Sequence, residues 1–117
     1  MDAPSNIPND ENGDVIRRMI KNDDDLSKPR LIDFCHVFSE RRQALAFAEM
    51  IDDRQLEVCI SYYEKRDLWD VKVKRYMIPT HHEITAFEKS LAVQAELLGG
   101  EADGWGCMTV TKKPPGK

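Results

Sequence analysis

Little in this sequence points to a reaction. It has no GxGxxG or Walker-type loop to cradle phosphates and no HExxH pair to hold a metal. Cysteine is scarce: Cys35, Cys59 and Cys107 are widely spaced and form no CxxC unit. An odd count at such spacing reads as reduced, buried thiols rather than a disulfide framework. No apolar run approaches the ~20 residues of a membrane span. The polar, acidic N-terminus lacks the apolar segment of a signal peptide, which makes the cytoplasm the expected location. Positive charge is not in excess either, with 17 Lys and Arg against 21 Asp and Glu and a net charge of −4. That balance disfavours direct nucleic-acid binding, which rests on clustered basic groups.

What is there suits an ordinary globular protein. The 117 residues, 41% hydrophobic and 32% charged, fit a single domain with one core. Residues 1–9 are rich in Pro and Asn and are expected to be disordered; residues 10–111 read as the domain, and 112–117 as a frayed Pro-Gly-Lys tail. Val15, Ile16, Met19 and Ile20 fall at helical spacing, with Asn12 or Asp14 as the expected cap and an end near Asn22 to Asp24. Arg30 to Phe38 is a β-branched and aromatic strand. Ser39 is the expected cap of a second helix carrying Ala44, Leu45, Phe47, Ala48 and Ile51 and ending near Asp52-Asp53. Leu56–Tyr63 and Leu68–Met77 alternate around a polar turn and predict an antiparallel hairpin. Thr80-x-x-Glu83 is a capping box, opening a helix with the stripe Ile84, Phe87, Leu91, Ala95 and Leu98. Gly99-Gly100 ends it, and Asp103 to Thr111 is the last strand.

The order is a helix followed by β-α-β-β-α-β. This predicts an α+β, ferredoxin-like sandwich with a four-stranded antiparallel sheet in order 4-1-3-2 and two crossover helices on one face.

Asp103-Gly104-Trp105-Gly106 stands out in that layout, because a Trp held between two glycines is placed deliberately. Counting parity back from Met108 and Val110 puts Trp105 and Cys107 on the open sheet face, beside Asp33 and Cys35. A bulge at Gly104 or Gly106 reverses that assignment, and burial beneath the N-terminal helix is the expected state of the ring. Asp33 interrupts an apolar strand and shares the open side with Lys72 and Lys74, as a cross-strand ion pair or as part of a binding surface. Tyr76 lies on the same side.

Other constellations are weaker. Adjacent His81 and His82 point about 100° apart on a helix, and their first-turn position has a capping reason. His36 groups by parity with Ile32, Phe34 and Phe38, as a hydrogen-bonded core or rim histidine. The run Asp23-Asp24-Asp25 reads as a solvated block or a contact for a basic partner. RNA-recognition domains share the predicted topology, but they stack bases on aromatics of the two central strands, where this chain offers Tyr76 alone.

Several segments together resemble the family called regulator of ribonuclease E activity B. They are Asp24-Asp25-Leu26-Ser27-Lys28-Pro29-Arg30, then Ile32-Asp33-Phe34 and Val37-Phe38-Ser39, then Pro79-Thr80, and Gly99-Gly100-Glu101-Ala102-Asp103-Gly104-Trp105-Gly106. The resemblance spans roughly Val15 to Val110. It implies a ferredoxin-like protein that binds ribonuclease E and retunes RNA cleavage without being an enzyme. The best-known members carry a long acidic C-terminal tail, whereas this sequence closes on Lys112-Lys113-Pro114-Pro115-Gly116-Lys117.

The expectation is therefore a cytoplasmic, non-enzymatic regulator whose partner is a protein, ribonuclease E or a similar nuclease. No cofactor, metal, membrane or direct nucleic-acid contact is expected. The candidate protein-binding residues are Asp33, Lys72, Lys74, Tyr76 and Trp105. Two alternatives stand beside it. One is a small-ligand or effector-binding domain, dimeric through its sheet edges, which calls for a concave apolar pocket at Trp105. The other is an enzyme built on His36, Asp33 and Cys35.

Overall fold

The computed structural model describes residues 7–51 and 55–111. The expected tails therefore lie outside the described residues, apart from Ile7 to Asn9. Among the described residues seven elements follow in order: α1 (Glu11–Lys21), β1 (Arg30–Phe38), α2 (Arg41–Met50), β2 (Leu56–Tyr63), β3 (Leu68–Met77), α3 (His81–Leu97) and β4 (Glu101–Cys107). The strands form one sheet in the order β2-β3-β1-β4, with every neighbouring pair antiparallel. This is the expected ferredoxin-like α+β arrangement with a helix ahead of it.

Alternation along β1 and β3 sends Ile32, Phe34, Phe38, Val71, Val73 and Met77 to one side, where they pack with Ala44 and Phe47 of α2 and Ile84, Leu91 and Ala95 of α3. The Phe34 and Phe87 rings meet edge to face at 4.9 Å, an arrangement that aligns ring edge and ring face favourably. His36 belongs to this core as expected, 1% exposed, its ring 4.9 Å from that of Phe47 and tilted 51° to it. It is not fully hydrogen-bonded, because its Nδ1 has no partner.

The caps differ in part from the sequence reading. Asp10 caps α1, its carboxylate accepting the Gly13 N–H at 2.8 Å. The cap falls earlier than Asn12 or Asp14, and the segment ahead of it packs against the first turn so closely that a Cβ on Gly13 would run into the Pro8 carbonyl oxygen. Glu40 rather than Ser39 caps α2, since Glu40 and Gln43 form the reciprocal capping box. Thr80 caps α3 as predicted, its hydroxyl accepting the Glu83 N–H at 3.2 Å. At the far end Gly99 takes a positive φ of 84°, and the Gly99 and Gly100 N–H groups bond the carbonyls of Glu96 and Ala95. This is the paired-bond closure that glycine favours.

β4 starts and stops earlier than predicted. Beyond Cys107 the chain leaves β1 and binds the segment after α1. Asp25 N–H donates to the Val110 carbonyl at 2.7 Å, and Asp24 bridges to Thr111. Asp24 is thus no solvated charge. It is 3% exposed and paired at 2.7 Å with Arg30, itself 4% exposed. Arg30 also donates to the carbonyls of Met108, Asp25 and Lys28. These bonds draw residues 108–111 away from the ladder.

Candidate functional site

Both crossover helices lie on one side of the sheet, and no described helix covers the other. The bare face is written by the alternate residues of the strands. β1 contributes Leu31, Asp33, Cys35 and, at its buried end, Val37, β3 contributes Tyr76, Lys74, Lys72 and Asp70 opposite them, and β2 contributes Glu57, Cys59 and Ser61 opposite those. Four of the five sequence candidates, Asp33, Lys72, Lys74 and Tyr76, are therefore brought together as expected.

Asp33 and Lys74 form the cross-strand ion pair, with Nζ 3.2 Å from Oδ1. That bond raises the ammonium pKa of Lys74 and holds it charged. Lys72 sits between Cys35 and Cys59 on the flanking strands. Tyr76 is 66% exposed and lies opposite Leu31, another exposed side chain. Towards the far end the face dips into a depression of about 360 Å³, lined by Cys35, Val37, Tyr63, Asp70, Lys72 and Asp103 among others. Burial pushes the Asp70 carboxyl pKa up, and nearby Asp103 adds to that. Arg66, from the β2–β3 turn, reaches over to Asp103 at 3.3 Å. Burial also raises the Cys35 thiol pKa, so Cys35 is not an activated thiolate of the kind nucleophilic chemistry uses.

Trp105 is not on this face. It stands directly opposite Phe34, and Cys107 opposite Ile32, so both point to the helix side and pack on the core. The parity count failed at its starting point, because β4 ends at Cys107 and Met108 is 79% exposed rather than packed under the helices. A one-residue bulge lies on the other side of the ring. Phe34 pairs Trp105 while His36 pairs Ala102, and Gly104 takes the positive φ of 95° that such a bulge uses. The ring is half-buried beneath α1, with Nε1 donating to Asn12 Oδ1 at 2.9 Å. A depression of about 300 Å³ adjoins it, but Glu11, Asn12, Asp14, Arg18 and Glu88 rim it. That is not the concave apolar pocket a small-ligand role calls for.

The remaining chemistry does not assemble. His36 is on the core side while Asp33 and Cys35 are on the bare side, so the proposed catalytic trio never meets. His81 bonds Asp10 at 3.0 Å, and among the described residues no three His, Cys, Asp or Glu are grouped to hold a metal. No described helix is long and apolar enough to cross a membrane. Asp70, Tyr63 and Leu31 were not among the candidate residues, although strand alternation puts all three on this face. The sequence reading also missed Asn12 and the Asp24–Arg30 pair, for which contact in space is the only signal.

Fold and face together define a ferredoxin-like α+β protein with one side of its sheet built as core and the other left bare and charged. The family model described as regulator of ribonuclease activity B matches residues 9–107, most of the chain. The chain belongs to that family, whose description names regulation of a ribonuclease and not a reaction of its own. No curated protein sequence matches it.

Proposed function

We propose that this chain regulates RNA degradation by binding a ribonuclease, ribonuclease E or a nuclease like it, and covering part of that partner's surface. It makes and breaks no bond itself, contacts no RNA directly and works in the cytoplasm. One observation carries the reading. The sheet face that no described helix covers presents a fixed pattern of Asp33, Lys72, Lys74 and Tyr76 rather than an apolar layer, and family membership links the chain to ribonuclease control. A rigid strand surface with an exposed aromatic and charges already held in place suits recognition of another protein, because little side-chain freedom is lost on docking. Trp105 serves that face from behind by anchoring α1 to the sheet.

The test is a cleavage assay in which the purified chain is titrated against ribonuclease E acting on a structured RNA. Wild type slows or redirects cleavage, while folded Lys72→Glu and Tyr76→Ala variants lose binding and regulation together. Unchanged binding by both variants would overturn the choice of face. No binding to ribonuclease E or related nucleases would overturn the function.

A further inference from the structure

We propose that two copies of this chain join along β2, antiparallel about a two-fold axis at Cys59, so that one sheet runs through both. The sheet has two edges, β2 and β4. An edge strand offers a row of unpaired N–H and C=O groups, and proteins usually blunt it with a bulge, Lys, Pro or a covering element. β4 is blunted in this way: it is bulged at Gly104, carries Glu101 and Asp103, and tucks Trp105 under α1. β2 has none of these devices. Leu56–Tyr63 pairs with β3 in unbroken register, contains no Gly, Pro or Lys, and has Glu57 as its one charge. Among the described residues β3 is its only strand neighbour. Leu56, Val58 and Ile60 are only partly covered on the helix side, and Tyr62 and Tyr63 are each 46% exposed.

The sequence of β2 selects a second copy over an unrelated extended segment. Directly opposed residues of an antiparallel pair share a face, so a two-fold axis must pass through a residue of the strand. With Cys59 on the axis, Val58 meets Ile60 of the second copy and Leu56 meets Tyr62, which puts apolar against apolar on the helix side. On the bare side Glu57 meets Ser61, and no like charges face each other. Paired this way, the two bare faces become one continuous surface with Glu57, Cys59 and Ser61 at its centre. The pairing does not depend on which protein that surface binds.

The experiment uses the full chain. Sedimentation across a wide concentration range reports a dimer. Diamide, which takes up the two thiol hydrogens, captures it as a Cys59–Cys59 disulfide, since opposed Cα atoms ~4.5–5.5 Å apart suit that bond. The crosslink disappears in Cys59→Ser and persists in Cys35→Ser and Cys107→Ser. Ser61→Glu, at an exposed site, sets like charges against Glu57 twice and raises the dimer dissociation constant roughly 2- to 30-fold. Ser61→Lys lowers it or leaves it unchanged. A monomer at every concentration overturns the proposal. So does a dimer that gives no Cys59 crosslink or ignores Ser61→Glu. A monomer whose Ser61→Glu variant loses nuclease binding also overturns it, and assigns the edge to a strand of the nuclease instead.

Discussion

Trp105 and Asn12 lie 93 residues apart in the chain and 2.9 Å apart in the fold, the indole N–H donating to the amide oxygen. The same Asn12 side chain donates from its nitrogen to Thr85 Oγ1 and to Glu88 Oε1, both at 3.0 Å. One amide therefore ties α1 to α3 and to β4. That tie matters because α1 buries little else: Gly13 and Ile16 are its buried residues, and Ile20 is left largely outside. An amphipathic helix of this length depends on docking for its stability.

Asn12→Leu tests this attachment. Three hydrogen bonds are lost, two of them leaving partners that water can reach, so the expected cost is about 1–3 kcal/mol. The loss should be local as well as global. In a Trp69→Phe background, emission from Trp105 should shift to the red, and amides of α1 should exchange faster than those of β1. Unchanged α1 exchange would show that the helix is held by something other than this amide.

How much of this was legible in the sequence depended on how far apart the cooperating residues lie. The β2–β3 hairpin, the face shared by Asp33, Lys72 and Lys74, and the Thr80 cap are governed by alternation and by neighbours within a few residues, and each reads directly from the chain. Trp105 did not, because its side was counted from Met108 as a helix-facing strand residue, whereas β4 ends at Cys107 and the contacts that pull residues 108–111 towards Asp24 and Arg30 come from far along the chain. Asp24 did not either. Three aspartates in a row look solvated until Arg30 comes within 2.7 Å and residues 108–111 close over the pair.

That buried pair predicts an asymmetry between single and double substitution. Asp24→Leu leaves the Arg30 guanidinium buried without its counter-charge and should cost about 3–5 kcal/mol. Asp24→Leu combined with Arg30→Met removes both charges and should recover part of that loss, although the carbonyls of Met108, Asp25 and Lys28 then lose their donor. Urea midpoints of the three chains decide it. A double variant less stable than the Asp24 single variant would mean that Arg30 acts mainly through those carbonyls.

Two glycines should respond to alanine for opposite reasons. Gly100 has ordinary backbone angles, but a Cβ there would strike the ring of Phe38, which is 1% exposed and cannot yield. Overpacking of this kind costs about 1–3 kcal/mol. Gly104 has open space around it and a φ of 95°, so Gly104→Ala costs about 1 kcal/mol of backbone strain. Thermal unfolding should rank Gly100→Ala as the less stable. The Gly104 variant should also show altered Trp105 emission, because relief of the strain re-registers β4.

His36 should make the fold acid-sensitive. Burial lowers its pKa below the usual 6.5, and the backbone of Val71 and Phe34, followed by Asp103, opposes that only in part. A histidine whose folded pKa is depressed takes up its proton more readily when unfolded. The unfolded state is therefore favoured as pH drops through the unfolded pKa, and stability is full above it. The wild type should hold a constant urea midpoint between about pH 7.5 and 8, below the range in which thiols ionise, and lose stability between about pH 6.5 and the lower, folded pKa. The slope there has an upper limit of about 1.4 kcal/mol per pH unit from this one group. His36→Phe keeps the ring contact with Phe47 and removes the proton. Its stability should be flat over the same window, and the difference between the two chains isolates the contribution of His36. Parallel pH profiles for wild type and variant would show that the unpartnered Nδ1 is not where the acid sensitivity lies.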